Sequence, residues 1–136
     1  ISNVDLFATV AAISGRKLGP SEGEDSFNIL PALTGEPGAK VRDHLLIAPL
    51  RRTHLSMRKG DWIYIGARGH GGFGAKKVGE HGLGGPAAQL FTGHVNSDIE
   101  DGKIKPDAPN AQLYNLAKDP YQKQNVIRSH PEIAEQ

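Results

Sequence analysis

A short stretch near the middle of the chain, residues 57–64, limits the fold most strongly because it predicts a β-hairpin. Leu55 and Met57 alternate with polar residues, as they do in a strand that has one buried face. Lys59-Gly60-Asp61 has turn chemistry, since glycine adopts positive φ without a steric cost. Trp62-Ile63-Tyr64-Ile65 is aromatic and β-branched, which suits a pleated, half-buried surface. A lone hairpin is marginally stable in water, so this stretch also predicts neighbouring strands.

Two further segments supply those strands, one before the hairpin and one far after it. Pro49 marks the end of the earlier segment, because proline has no amide N–H to donate to a sheet. We expect one antiparallel sheet of four strands, formed by Leu45 to Ala48, Thr53 to Arg58, Asp61 to Ile65 and Gln112 to Leu116.

Helix signals lie at both ends of the chain. Ser2 followed by Asp5 resembles a capping box, and the apolar residues after it recur at helical spacing up to a stop at Gly15. Near the other end, Ser129 and Pro131 predict a second helix start, with serine as the cap and proline inside the first turn. The sequence therefore predicts an α+β fold.

The span from Gly66 to Gly93 is dense in glycine and shows no sustained period, so we expect a long irregular loop. Gly69 to Gly74 matches the G-x-G-x-x-G pattern of dinucleotide-binding loops, but more glycine follows where that pattern needs a helix. A nucleotide site is therefore disfavoured. A stand-alone binding module that uses the glycine-rich loop stays open as an alternative function.

Composition excludes several classes of site. The 136 residues contain no cysteine, so the chain has no disulfide, no thiolate metal site and no cysteine nucleophile. The formal net charge of +1 gives no bias towards nucleic acid or membrane surfaces, and no apolar run is long enough to cross a bilayer. The chain opens on a helix without an initiator methionine, so we expect a fragment of a longer protein.

Four segments, in order, now resemble one family. Val4 to Thr9 is similar to a V-D-L-x-P-T helix, with Ala8 where proline is common, and Glu24 to Gly35 is similar to a D-G-x-S-L-x-P-L-L-x-G segment. Ser56 to Trp62 resembles an R-x-G-D-W-K-Y hairpin, and Leu113 to Pro120 resembles L-Y-D-L-x-x-D-P. The ordered set is that of the type I sulfatases of the alkaline-phosphatase superfamily.

The resemblance implies an architecture and a function. Residues 1–40 would be the end of a large N-terminal α/β domain, with the last helix of that domain. Residues 41–136 would be a C-terminal subdomain, a four-stranded antiparallel sheet covered by the helix that begins near Ser129, with a loop over residues 66–110. The chain would be the C-terminal part of a sulfatase, a sulfuric ester hydrolase that acts on an anionic sulfated small molecule or glycan.

The resemblance also implies chemistry that this chain lacks. Sulfatases use a formylglycine nucleophile made in a C/S-x-P-x-R motif, and a calcium ion whose positive charge lies where the transferred group gains negative charge. Ser129-His130-Pro131 begins like that motif, but Ile133 stands where the arginine is required. We expect the nucleophile and the calcium ligands in the rest of the protein, so the fragment alone should be inactive. A phosphoesterase or phosphonate hydrolase of the same superfamily is the alternative, and the nucleophile would distinguish them.

Partners and location follow from the same resemblance. The expected protein partner is the N-terminal sulfatase domain, whose absence would leave the apolar face of the first helix uncovered and cause the isolated fragment to self-associate. Sulfatases of this kind imply a periplasmic or secreted protein.

The candidate substrate-binding residues are Arg51, Arg52 and His54. If residues 53–58 form one strand that begins beside Arg52, then Arg52, His54, Ser56 and Arg58 alternate onto a common face. One interpretation is a solvated sheet face. The other is the basic rim of a cleft, where arginine binds a sulfate or carboxylate group through two parallel hydrogen bonds.

Overall fold

A computed structural model of the protein describes residues 2–39, 42–49, 52–69 and 93–136. The chain divides into two compact units, Ile1–Leu45 and Leu46–Gln136, which we call the first and second units. The glycine-rich residues 70–92 lie outside the described residues, and so does the central part of the predicted loop. The assignment of residues 1–40 to the end of a large α/β domain stays a prediction.

The first unit begins as its sequence predicts. A 3₁₀ turn, Asn3–Asp5, leads into helix α1 (Leu6–Ile13), and helix α2 (Leu30–Leu33) follows later. The Ser2 N–H donates to Asp5 Oδ2 at 3.2 Å, while the Asp5 N–H donates to the Ser2 carbonyl at 3.1 Å. Gly15 has φ of +72°, the left-handed conformation that ends helices, so the predicted stop is confirmed.

Polar side chains tie α1 to the segment 26–29. The Ser26 Oγ accepts a hydrogen bond from the Ala8 N–H at 2.9 Å, a bond that proline at this position could not donate. Thr9 Oγ1 donates to the Asp5 carbonyl at 2.7 Å and accepts from the Ile29 N–H at 3.1 Å. These bonds replace much of the apolar packing that would ordinarily hold a helix in place. The large apolar side chains of this helix and of the turn before it are exposed, namely Val4, Leu6, Phe7, Val10 and Ile13.

A buried ion pair completes the first unit. The carboxylate of Asp5 is fully buried, and it accepts hydrogen bonds from the Arg42 guanidinium and from the Phe27 N–H. Burial alone would raise the pKa of Asp5. The hydrogen bonds from Arg42, Phe27 and Ser2, with the charge of Arg42, outweigh that effect and hold the pKa below its ordinary value of 3.8. Arg42 also covers the Phe27 ring, with its guanidinium carbon 4.6 Å from the ring centroid.

The predicted four-stranded sheet is confirmed. Its strands lie in the order β1 (His44–Ile47), β2 (Ser56–Lys59), β3 (Trp62–Ile65) and, from the far end of the chain, Gln112–Asn115. The central hairpin pairs Met57 with Tyr64 in antiparallel register, and the last strand pairs antiparallel with β3. Its buried residues include Ile63, Leu113 and Tyr114.

The second strand starts later than predicted. Arg52–His54 forms a 3₁₀ turn, and β2 begins only at Ser56. The predicted common face of Arg52, His54, Ser56 and Arg58 along one strand is therefore wrong. Alternation over so few residues does not distinguish a strand from a turn followed by a strand. The outcome also differs by residue, because His54 and Ser56 are buried while Arg58 is exposed.

The described part of the predicted loop carries a small hairpin that the sequence analysis did not predict. Strands β4 (Ile99–Glu100) and β5 (Lys103–Ile104) pair antiparallel, and the final sheet strand, Gln112–Asn115, is therefore β6. Asp101 and Gly102 join the pair with φ of +48° and +69°, both in the left-handed region that two-residue hairpin turns use.

The C-terminal helix is present but its cap differs. Helix α3 (Pro131–Ala134) has proline in its first turn, as predicted, and His130 rather than Ser129 is the capping residue. The Ser129 N–H donates to the Val126 carbonyl at 2.9 Å, so Ser129 belongs to the preceding turn. The His130 ring packs edge-on against Trp62, with ring centroids 5.3 Å apart. Within the described ranges, no helix has the length and apolar character needed to cross a membrane.

Candidate functional site

The predicted substrate-binding residues precede strand β2 in the chain. Arg51 is outside the described residues, and Arg52 begins the 3₁₀ turn that ends at His54. Only 8% of the surface of His54 is exposed. The structure therefore places a buried histidine at the end of the turn that Arg52 begins, and the assignment of Arg51, Arg52 and His54 to substrate binding stays a prediction.

The His54 ring is engaged through both of its nitrogens. Nε2 lies 3.2 Å from the Arg68 carbonyl oxygen and Nδ1 lies 3.0 Å from Thr53 Oγ1. Because a carbonyl oxygen only accepts, Nε2 must carry the proton of this hydrogen bond. His54 thus links the 3₁₀ turn to the segment that leaves β3.

Two more long side chains hold that segment, residues 67–69. Arg68 Nη2 donates to the Lys105 and Pro106 carbonyls at 2.8 and 3.0 Å. Gln112 Nε2 donates to the Ala67 and Gly69 carbonyls, both at 2.7 Å. The side chains of His54, Arg68 and Gln112 therefore hold the backbone segment immediately before residue 70.

A buried relay continues from Gln112 to residue 96. Tyr114 Oη donates to Gln112 Oε1 at 2.6 Å and accepts from Asn96 Nδ2 at 2.9 Å, because an amide nitrogen can only donate. Asn96 Nδ2 also donates to the Gln122 carbonyl at 2.8 Å. We call Gln112, Tyr114 and Asn96 the buried relay. It joins the chain just before residue 70 to the chain just after residue 92.

The relay perturbs the acidity of its central group. Burial raises the pKa of Tyr114 to about 12, the charges of Asp98 and Asp119 act in the same direction, and the Asn96 hydrogen bond opposes them. The hydroxyl is therefore neutral over the physiological range. Period-two alternation could have shown that Gln112 and Tyr114 share a face of β6, but no local signal indicates Asn96 as their partner.

Beside the relay lies a second polar cluster centred on Asn125, the asparagine that follows the L-Y-D-L-like signature. Asn125 Nδ2 donates to Asp98 Oδ2 at 2.6 Å, and its Oδ1 accepts from the Leu113 and Ile127 N–H groups at 3.0 and 3.1 Å. Asn125 therefore joins the β4–β5 hairpin region to the final sheet strand.

A cavity of about 300 Å³ opens at this cluster, and we call it the polar pocket. Asp98, one of its lining residues, is only 5% exposed. Its lining consists of Ser97, Asp98, Lys105, Asp107, Ala108, Pro109, Gln124, Asn125, Arg128 and Ser129.

The implied calcium ion can be tested against the donors present. Within residues 2–39, 42–49, 52–69 and 93–136, no three His, Cys, Asp or Glu side chains come together in a group that could hold a metal ion. The described residues therefore offer no such group of ligands for a calcium ion.

Comparison with known proteins points to one family. No protein-family model matches the chain. The chain is 29% identical over 132 residues to an N-acetylgalactosamine-6-O-sulfatase of Bacteroides thetaiotaomicron, covering 97% of this chain and 21% of that enzyme. It is also similar to a solved structure designated 6S-sulf, from a study of glycosaminoglycan metabolism by the same bacterium, with 26% identity and a TM-score of 0.62. That match covers 96% of this chain and 22% of the other.

The chain thus spans about a fifth of the length of each relative while matching almost throughout its own length. The same ordered segments that carry the resemblance in the sequence form the α1 helix, the central hairpin and the β6 strand in the structure. The predicted resemblance is confirmed: in sequence and in fold, this chain is similar to part of a sulfatase, consistent with a C-terminal portion of such an enzyme.

Proposed function

We propose that the chain is the C-terminal part of a hydrolase of sulfate esters, in which it completes the fold and lines one wall of the substrate cleft. The observation that carries this proposal is the similarity, over 97% of the chain, to an N-acetylgalactosamine-6-O-sulfatase. The substrate class that follows is an anionic sulfated sugar or a related small sulfate ester.

The contribution of this chain would be binding rather than bond cleavage. Arg51 and Arg52 would bind the sulfate or a neighbouring acidic group, since guanidinium matches such groups through two parallel hydrogen bonds. His54 would support them at the cleft, because its buried ring, bonded to the Arg68 carbonyl, would hold the turn that carries Arg52. Arg52 and His54 are therefore predicted to act mainly on substrate affinity.

We further propose that calcium and formylglycine belong to the rest of the protein. The chain has no cysteine, and its described residues offer no metal-binding group of three. Residues that bind the ground state and transition state equally do not accelerate the chemical step, so the chain alone should release no sulfate.

The N-terminal sulfatase domain is the proposed partner, and the exposed apolar residues of α1 support it, because an uncovered apolar helix face is typical of an interface. Periplasmic location or secretion is proposed from the family resemblance alone, and fractionation of cells that express the intact protein would test it.

Steady-state kinetics of the intact protein on an aryl sulfate and on a 6-sulfated amino sugar would test this function. Arg52→Ala should raise KM more than it lowers kcat, as expected for a residue that positions substrate. Arg16→Gln is the matched control, because that arginine is exposed and forms a surface ion pair with Glu22. Sulfate release by the chain alone, above a buffer blank, would show that a catalytic group has been missed.

The same assay separates the superfamily alternatives. Faster hydrolysis of an aryl phosphate or phosphonate than of the aryl sulfate, together with an unmodified serine or threonine nucleophile by mass spectrometry, would replace the sulfatase proposal. Detection of formylglycine would support it.

A further inference from the structure

We propose that the polar pocket binds one saccharide unit that carries a carboxylate or sulfate group. This inference rests on the proposed function, because it assigns a second contact for the same class of substrate, away from Arg51, Arg52 and His54. The charge, the hydrogen-bonding groups and the size of the pocket all suit such a ligand.

The charge of the lining disfavours a simple ion. Two acidic residues, Asp98 and Asp107, and two basic residues, Lys105 and Arg128, give a formal charge of zero. A bare cation or a bare anion would lie close to charges of its own sign as well as the opposite sign, so the attractions would be largely cancelled. A ligand with both donors and acceptors suits such a lining better.

The Asp98 carboxylate in the pocket lining is a hydrogen-bond acceptor with unused acceptor sites. Asp98 Oδ1 accepts from Ser97 Oγ at 3.1 Å, and Oδ2 accepts from Asn125 Nδ2 at 2.6 Å. A carboxylate offers about four acceptor sites, so about two stay open on these oxygens. None of the ion pairs recorded in the described part of the chain, Arg16–Glu22, Arg42–Asp5, His44–Asp43 and His130–Glu132, includes Asp98. Sugar hydroxyls are donors of the kind this carboxylate can accept.

Two basic residues of the lining, Arg128 and Lys105, supply positively charged hydrogen-bond donors. Arg128 is exposed, and its Nη2 donates to the Asp107 carbonyl, which orients the guanidinium while its other N–H groups stay available. Lys105 adds a second positive charge to the lining, and none of the ion pairs in the described ranges includes it. Arg128 and Lys105 together would bind an acidic group, while Ser97, Gln124 and Ser129 offer neutral partners for hydroxyls.

The size agrees with one sugar ring. A volume of about 300 Å³ lies at the lower end of the range of small-molecule sites. The larger cavity, about 510 Å³ beside Met57, Trp62 and Ile133, presents mainly apolar side chains and does not suit a charged sugar.

NMR titration of the isotopically labelled chain would test the pocket. The probes are glucuronic acid, N-acetylgalactosamine 6-sulfate, uncharged N-acetylgalactosamine and inorganic sulfate, each raised to the order of 10 mM so that a Kd of about 1 mM is measured. At least one acidic sugar should shift the amides of residues 97–98, 105–109 and 124–129 saturably. It should bind at least tenfold more tightly than the uncharged sugar and than sulfate. Whichever of the two acidic sugars binds more tightly identifies the preferred acidic group, carboxylate or sulfate.

Two variants and a control keep the result interpretable. Arg128→Gln should weaken binding of the acidic sugar at least tenfold, and this exposed residue should not affect folding. Asp98→Asn should weaken the acidic and the uncharged sugar together, since it changes the acceptor for hydroxyls. Arg16→Gln, at an exposed arginine of the first unit, should leave every Kd unchanged.

Several outcomes would overturn the proposal. They are no saturable shift with any sugar, inorganic sulfate binding as tightly as the sugars, or equal effects of Arg128→Gln and Arg16→Gln. Aryl sulfate hydrolysis by the intact protein separates this inference from the proposed function. Hydrolysis without pocket binding refutes only the pocket, and pocket binding without hydrolysis refutes only the sulfatase assignment.

Discussion

Each of the two units of this chain contains a different kind of buried polar group. In the first unit the central group is charged: the Asp5 carboxylate, fully buried, pairs with the Arg42 guanidinium, whose side chain is 14% exposed. In the second unit the central group is the neutral Tyr114 hydroxyl, which lies between Gln112 and Asn96. A buried ion pair and a neutral relay respond to opposite changes of pH and to different substitutions.

The apolar surfaces differ in the same sense. The second unit buries Ile63, Ile99 and Leu113, whereas the first unit leaves the helix residues Val10 and Ile13 more than half exposed. The first unit therefore combines a buried ion pair with an exposed apolar helix face, whereas the second unit combines a neutral relay with buried apolar side chains. The difference teaches that burial of a polar group does not by itself indicate how far the neighbouring apolar surface is covered.

Removal of the ion pair should have the largest effect. Asp5→Ala leaves the Arg42 guanidinium buried without its partner, which typically costs about 3–5 kcal/mol. Hydrogen exchange at the amides of residues 4–14 should become faster accordingly. Glu22→Gln is the control, because the Arg16–Glu22 pair is exposed and should contribute less than about 1 kcal/mol. Similar protection in Asp5→Ala and Glu22→Gln would contradict the central role of Asp5.

Removal of one hydroxyl should weaken the second unit. Tyr114→Phe leaves Gln112 Oε1 and Asn96 Nδ2 each short of a partner, and an unsatisfied buried group costs about 1–3 kcal/mol. Urea unfolding followed by the fluorescence of Trp62, the single tryptophan, measures the change. Tyr121→Phe, at a residue that is 69% exposed, should shift the stability by less than about 0.5 kcal/mol. Equal midpoints for the two variants would refute the relay.

The loss of stability at alkaline pH, which we call the alkaline limb, should arise in the second unit. The pKa of Tyr114 is raised from 10.0 to about 12, so the folded state holds the proton more tightly. Its contribution is complete below pH 10 and is lost as the pH rises towards 12, by at most about 3 kcal/mol. Tyrosinate absorbance and Trp62 fluorescence would record the transition. Tyr114→Phe should flatten this limb, and an unchanged slope in that variant would exclude Tyr114 as its cause.

The loss of stability at acid pH should arise in the first unit. The pKa of Asp5 is lowered below 3.8, so its contribution is present above that value and is lost as the pH falls through the folded-state pKa. Amide exchange at residues 4–14 should rise below about pH 4, before that of β3 and β6. Asp5→Asn should remove the pH dependence in this window. Loss of both units together at the same pH would mean that they do not respond independently.

The smallest effect on stability should come from the exposed helix face. Ile13→Gln, at a residue that is 64% exposed, should change the free energy of unfolding by less than about 0.5 kcal/mol but weaken self-association of the isolated chain. Sedimentation velocity measures the association. Val95→Gln, at an equally exposed valine of the second unit, should not change it. A strictly monomeric chain would remove the expectation of self-association.

Predictions that depended on neighbouring residues were the most successful. The hairpin around Gly60, the cap formed by Ser2 and Asp5, and the stop at Gly15 all depend on partners a few residues away, and the structure confirms them. The errors arose where two local signals compete. His54 follows a strand-like alternation but lies in a 3₁₀ turn, and Ser129 has cap chemistry but donates to the preceding turn.

The sequence by itself determined which segments form the sheet, the turn between β2 and β3, and the resemblance to sulfatases, because periodicity, turn residues and motifs all lie within short segments. Only the tertiary structure decided which polar groups are buried together. Asp5 meets Arg42 across 37 residues, and Gln112 reaches Ala67 across 45. The physical reason is that alternation tells which face a side chain occupies but not what lies opposite it, and a buried hydrogen bond depends on that partner.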